Sequence, residues 1–235
     1  MKTACWSCGS ALSAGALFCD ACGKVQAPAA GVTCFDVFGL PRKLALDTSA
    51  LEKAFYKLSR KLHPDVYAQA SEQEQQWSLE QTSLLNDAYR ALKNPITRTE
   101  YLLRLEGVEI DQDRSSENGA MKESRVPPDL LEEVFELNMQ LEEMRMNRKM
   151  GEDDPQLRGD LEKAKTQFEG QLADSDAQLQ ALWSKWDKAQ DAADEAAKAD
   201  VKDKMVALLD RRRYVRNLVR DVNEALDSTL SQSTR

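Results

Sequence analysis

Between residues 51 and 62 the apolar positions fall at Leu51, Phe55, Leu58 and Leu62, steps of four, three and four that place them on one face of a helix. Lys53, Lys57, Arg60 and Lys61 lie beside or opposite that stripe and face water as a basic surface. The helix is expected to end near His63, because the residue before a proline is pushed out of the helical region. His63, Pro64 and Asp65 therefore stand at the mouth of a basic helix, with Pro64 stiffening the turn and Asp65 offering a carboxylate acceptor. A polar stretch from Ala68 to Gln76 follows, then a second helix with Trp77, Leu84, Leu85, Ala88, Tyr89 and Leu92 on one broad face. A shorter helix begins after Asn94-Pro95 and runs through Tyr101, Leu102 and Leu105.

The second half keeps the helical period over longer runs. Pro127-Pro128-Asp129 marks a start, with prolines tolerated at the first turn and an acid at the positive end of the helix. Leu130, Val134, Leu137, Leu141 and Met144 then share one face. Leu131, Phe135, Met139 and Met146 share another, rotated by well over a quarter turn and bordered by Glu132, Glu136 and Glu143. A bundle helix needs one stripe. The second reads either as a partner-binding face, apolar with a charged rim, or as the mark of a helix packed between two neighbours.

A second helix follows Asp153-Asp154-Pro155, with Leu157, Leu161, Ala164, Phe168, Leu172, Leu179, Leu182 and Trp186 in one stripe. The third runs from about Ala193, with Val201, Met205, Leu208, Val215, Val219, Val222 and Leu226 as its core face; Tyr214 and Leu218 are expected off that face, among Arg211, Arg213 and Arg216. Three such helices predict an antiparallel three-helix bundle over residues 127–235. The preceding stretch, 107–126, lacks a sustained apolar period and reads as a linker.

Composition narrows the picture. Across 235 residues, hydrophobic content of 42% suffices for a core, while 6% aromatics and ten glycines argue against an all-β fold. Runs rich in Ala, Leu, Glu, Lys, Gln and Arg make the chain all-α. A formal charge of −8 sets nucleic-acid binding aside. The stretch from Arg42 to His63 runs the other way, with Arg42, Lys43, Lys53, Lys57, Arg60 and Lys61 against only Asp47 and Glu52. That patch suits an acidic partner, or is a solvated helix face. No apolar run is long enough to span a membrane. The start has no apolar signal core, so a cytoplasmic protein is expected.

Cys5-Trp6-Ser7-Cys8 and Cys19-Asp20-Ala21-Cys22 are two Cys-x-x-Cys pairs, each followed by a glycine where the backbone must bend. Four thiolates in this pattern suit tetrahedral zinc in a closed structural site, with an iron–sulphur cluster as the rival. Disulfides do not suit a reducing compartment, and no strand–helix pattern marks either pair as a redox motif. The predicted module spans 1–27. Pro28 and its small neighbours form a linker over 28–32 that separates it from a helical domain at 33–106. The fifth cysteine, Cys34, stands outside the pattern beside Phe35 and is expected to be a buried structural thiol.

The basic helix, the His63-Pro64-Asp65 turn and the second helix together resemble the J-domain family, co-chaperones that dock on DnaK-type ATPases and stimulate ATP hydrolysis. Phe35-Asp36-Val37-Phe38-Gly39-Leu40-Pro41 is similar to the family's short first helix, and Asn86-Asp87-Ala88-Tyr89-Arg90-Ala91-Leu92 to its third. The resemblance implies that the two long helices pack antiparallel with the turn at one end. It places the docking residues at Lys57, Arg60, Lys61, His63, Pro64 and Asp65, with Lys53 less firmly included. His63 is the single histidine of the chain and has no nucleophile or carboxylate pair near it in sequence, so no enzyme chemistry is expected.

The order of parts, a double Cys-x-x-Cys, a J-like domain and an acidic helical bundle, is similar to the HscB family of iron–sulphur cluster biogenesis. Pro127 to Asn138 resembles that family's scaffold-binding helix, and Arg213-Tyr214-Val215-Arg216-Asn217-Leu218 its last helix. The resemblance implies binding of the scaffold protein IscU through Leu131, Phe135, Glu136, Met139 and Tyr214, and delivery to a DnaK/HscA-type chaperone. Glu132 departs from the family, which commonly has an apolar residue there. The alternatives are a J-domain protein with another client on the same bundle, a zinc-module interaction protein whose bundle dimerises, and a Cys-x-x-Cys oxidoreductase.

Overall fold

The structure is a computed structural model that describes residues 4–13, 15–109 and 126–230. The chain forms two compact units, Met1–Ile110 and Asp111–Arg235. Regular elements among the described residues are helical, apart from two isolated bridges, Ala4 with Ala11 and Phe18 with Val25. Most of the predicted linker at 107–126 lies outside the described residues.

In the first unit, α1 (Cys34–Val37) is opened by a capping box between Thr33 and Asp36. The basic helix is α2 (Thr48–Leu62), capped by Asp47, whose carboxylate accepts from the Ala50 amide at 3.0 Å. It ends at His63, whose ψ of 133° is the extended value that Pro64 imposes. A 3-10 turn, Pro64–Tyr67, carries the chain round to α3 (Glu72–Lys93), which begins with a second capping box, Ser71 with Glu74. Asn94 caps α4 (Pro95–Leu105). α2 and α3 run antiparallel: Ser78 Oγ donates to the Leu62 carbonyl at 2.7 Å near one end, and Tyr89 Oη to Glu52 at 3.4 Å near the other. Phe55 and Tyr89 stack between them, ring centroids 4.1 Å apart. Cys34 is half-buried, and its amide donates to Tyr101 Oη at 2.8 Å.

The cysteine module does not stand apart from these helices. The expectation that residues 28–32 separate it is corrected by its packing: Leu17 and Val25 share one buried cluster with Val37, Leu62, Leu85 and Ala88, and Phe18, Phe55, Tyr67 and Trp77 close around it. Gly15 (φ +71°) lets the backbone pass so near α1 that a Cβ there would sit 2.8 Å from the Asp36 carbonyl carbon. A segment too small to own a core has borrowed one.

The second unit follows the sequence pattern closely. A 3-10 turn at Pro128–Leu130 leads into α5 (Leu131–Met150), then α6 (Pro155–Ala192) and α7 (Glu195–Leu230). Arg211 pairs with Asp129 at the start of α5, and Arg148 near its end donates to the Ala225 carbonyl, so α5 and α7 run the same way with α6 opposed. Leu130, Val134, Leu137, Leu141 and Met144 are buried against Leu157, Leu161, Phe168, Val215 and Val222. Leu137 is 1% exposed at the middle of that cluster. Leu137→Ala is expected to destabilise the unit by about 2–5 kcal/mol in denaturant unfolding, since a filled site in a close-packed core leaves a cavity.

One prediction here fails. Tyr214 and Leu218 were expected off the core face of the last helix, yet they are 6% and 2% exposed inside this cluster. The physical reason is that α7 packs against both α5 and α6, so its apolar arc is wider than a single stripe.

Candidate docking sites and metal centre

The His63–Asp65 turn is held open to solvent. His63 Nδ1 accepts from the Asp65 amide at 3.3 Å, acting as the cap of the 3-10 turn. A neutral ring that accepts through Nδ1 carries its proton on Nε2, where it can serve as a donor. The carboxylate of Asp65 is 90% exposed and lies 3.4 Å from the same Nδ1. Lys57, Arg60 and Lys61 are exposed, and none of the three forms an ion pair among the described residues. Lys61 lies over the Phe18 ring of the cysteine module at 5.6 Å. The site residues read from sequence thus stand together on one helix end and one turn. Tyr56 and Val66, 53% and 63% exposed, add apolar surface that the sequence pattern did not single out. Tyr56 fell off the apolar stripe of α2, which was the only signal available.

Cys5, Cys8, Cys19 and Cys22 bring their sulphurs within 4.8 Å of one another. The Cys5–Cys22 and Cys8–Cys19 separations are both 3.6 Å. A tetrahedron with metal–sulphur bonds of about 2.3 Å has edges of about 3.8 Å, so the four thiols fit a single tetrahedral ion. The two pairs are built alike: Gly9 N donates to the Cys5 carbonyl at 2.9 Å, and Gly23 N to the Cys19 carbonyl at 2.7 Å, both glycines at positive φ. Burial opposes ionisation of the Cys5 thiol, but hydrogen bonds from backbone amides, Cys8 and Ser7 first, bring it down to about 6. Cys22 is pushed up to about 11: its backbone bond to Lys24 favours the thiolate, yet burial and the three neighbouring thiols outweigh it. Four adjacent sulphurs do not ionise together without a cation among them.

The module is tied to α3 by buried polar contacts. Gln26, 3% exposed, donates from Nε2 to Cys5 Sγ at 3.4 Å and to the Lys24 carbonyl at 2.7 Å. Its own carbonyl accepts from Gln81 Nε2 of α3 at 3.0 Å. Lys24 Nζ lies 2.7 Å from Glu74, whose side chain is 8% exposed; that lysine, and next the Ser71 hydroxyl, hold the Glu74 carboxyl below its usual range. Trp6 packs on Trp77, centroids 5.6 Å apart, and donates to the Val25 carbonyl.

On α5, Leu131, Phe135, Met139 and Met146 are 55–69% exposed, opposite the buried stripe. Met150, 69% exposed, extends the row; it follows Met146 by four residues, a spacing that was open to the sequence reading. Glu132, Glu136 and Glu143 are exposed around it. Of the five residues assigned to a scaffold contact, Leu131, Phe135, Glu136 and Met139 face solvent. Tyr214 does not, and burial, then Asp221, pushes its hydroxyl pKa up.

Residues 33–101 match the DnaJ domain family. The chain is 32% identical over 151 residues to the iron-sulfur cluster co-chaperone protein HscB of Mus musculus, covering 63% of this chain and 61% of that one. It is 41% identical over 110 residues to the co-chaperone protein HscB homolog of Vibrio vulnificus, covering 47% and 60%. The matched stretch spans about three fifths of each of these relatives. The crystal structure of human co-chaperone protein HscB superposes with a TM-score of 0.61 over 94% of this chain and 97% of that one, at 24% identity, which shows a shared fold. No helix among the described residues is long and apolar enough to cross a membrane. The chain thus carries a DnaJ-domain match at 33–101, with a cysteine tetrad before it and a helical unit after it, and it shares its fold with the human HscB structure.

Proposed function

We propose that this chain is an adaptor that binds the iron–sulphur scaffold protein IscU on α5 and presents it to a DnaK/HscA-type chaperone, whose ATPase it stimulates. The observation that carries the reading is the solvent-facing His63–Asp65 turn beside Lys57, Arg60 and Lys61, which are exposed and form no ion pair among the described residues. A domain that used those groups for its own stability would bury or pair them. In this mechanism Lys57, Arg60 and Lys61 steer an acidic surface of the chaperone onto α2, and the rigid turn makes the short-range contacts. The Nε2–H of His63 donates and the Asp65 carboxylate accepts. Hydrolysis takes place in the chaperone; this chain activates it and catalyses nothing itself.

The client side is the exposed row on α5. Phe135 and Met139 would be anchors within a rim of Glu132, Glu136 and Glu143. Tyr214 is left out of the direct contact. Phe135→Ala is expected to weaken scaffold binding at least tenfold by calorimetry, the loss of one aromatic anchor. Its unfolding midpoint and its stimulation of the chaperone alone should be unchanged. Binding of wild-type strength by that variant would return Phe135 to an incidental surface role.

The four cysteines would hold one zinc ion, which supplies a structural crosslink and no chemistry. The thiolates such a site needs belong to a reducing compartment such as the cytoplasm. Steady-state ATPase of the cognate chaperone, with and without this protein and IscU, tests the whole reading. No stimulation in any combination overturns it.

A further inference from the structure

We infer that the metal module is a positioning device for the docking turn, with Gln26 and Lys24 as the residues through which metal occupancy reaches it. The inference rests on the proposed chaperone-docking role and on metal occupancy of the tetrad. Three side chains that carry the link, Gln26, Glu74 and Gln81, are 3%, 6% and 2% exposed. Burying such groups is unfavourable unless each finds a partner. Apart from Ser71 at its own helix start, the partners found for them lie across the module boundary or within the module.

The path is short at every step. Cys5 Sγ accepts from Gln26, and Gln26 O accepts from Gln81 of α3. On the parallel path, Lys24 follows directly after Gly23 and reaches Glu74. Glu74 also accepts from Ser71 Oγ at 2.9 Å, closing the first turn of α3. That turn is where the chain arrives from the docking segment. Gln75 Nε2 donates to the Ala70 carbonyl at 3.1 Å, and Ser78 anchors the end of α2 through Leu62. Tyr67, the last residue of the 3-10 turn, packs in the same cluster as Val25, Phe18 and Leu62. The module therefore touches both ends of the segment that carries His63, Pro64 and Asp65: Leu62 and Lys61 before it, Tyr67 and Glu74 after it. Without the ion the two cysteine loops lose their common anchor, and the module's side of these contacts is left to the packing of Leu17 and Val25 and a few backbone hydrogen bonds.

The test uses the full chain. Lys24→Met breaks the clamp while leaving every cysteine in place; Lys24→Arg restores the charge. Amide hydrogen exchange is measured on zinc-loaded wild type, on chelated wild type and on both variants. The concentration for half-maximal ATPase stimulation is measured on the zinc-loaded proteins. In zinc-loaded Lys24→Met, exchange should rise across residues 66–75, and the half-maximal concentration should rise about tenfold with the maximal rate unchanged, as expected for one lost charged hydrogen bond at a pre-organised loop. Lys24→Arg should recover most of both. Chelation should speed exchange at 66–75 as well as within the module.

If chelation speeds exchange only within residues 4–27, or Lys24→Met leaves residues 66–75 as protected as in wild type, the coupling is overturned. A wild-type chain that stimulates no ATPase would overturn the docking reading instead, and the exchange data would still decide the coupling. A wild-type chain that takes up no zinc overturns the inference together with the metal assignment.

Discussion

His63→Gln is expected to abolish stimulation of the chaperone ATPase while leaving the fold and scaffold binding intact. His63 is 59% exposed at its side chain and contributes nothing to a packed core. The polar contacts of its side chain are with Asp65 alone among the described residues: Nδ1 caps the 3-10 turn by accepting from the Asp65 amide, and the Asp65 carboxylate lies 3.4 Å away. A glutamine can still accept there with its amide oxygen, but the amide nitrogen then points where the chain geometry allows, not where the rigid imidazole held Nε2–H. The Pro64 ring and the Asp65 carboxylate remain, and so do the cations of α2. Encounter therefore survives and the activating contact does not. The measured signature is a maximal ATPase rate near the chaperone's basal rate at all concentrations of the variant, with calorimetric scaffold affinity unchanged. Normal stimulation by His63→Gln would remove the turn from the mechanism.

The same residues explain how far the sequence could be read. The turn was legible because one proline dictates where α2 stops, and that rule needs no tertiary information. The tetrad was legible from spacing alone. The two faces of α5 were legible because a 3.6-residue period separates Leu137 from Phe135 whatever the helix packs on. Periodicity gave the wrong answer for Tyr214 and Leu218, since a helix with two neighbours buries more than one stripe. It was silent on the docked module. The contacts that seat it, Lys24 with Glu74 and Gln26 with Gln81, join residues about fifty apart and obey no repeat. The short run of small residues around Pro28 looks the same whether it separates two bodies or lets one fold back on the other.

That docking makes loss of the metal costlier than the module's size suggests. Cys19→Ser is expected to lose the zinc and to lower the unfolding temperature of the first unit, while the second unit melts as before. Cys19 is 1% exposed and lies 3.6 Å from Cys8, so a serine there leaves a three-thiolate site with a hydroxyl that binds zinc poorly. A structural zinc site of this kind stabilises a small domain by about 10–16 kcal/mol apparent at neutral pH. The loss does not stop at the module. Once its loops unravel, Leu17 and Val25 leave the cluster they share with Leu62, Leu85 and Ala88, and apolar surface on α2 and α3 meets water. Glu74 keeps Ser71 but loses Lys24, and Gln81 loses the Gln26 carbonyl. Metal analysis by mass spectrometry should find about one zinc per wild-type chain and little in the variant. Calorimetry should then show the early transition move down while the bundle's transition stays. A variant that loses its zinc and yet keeps the first transition where it was would mean that the J-domain helices hold their core without the module.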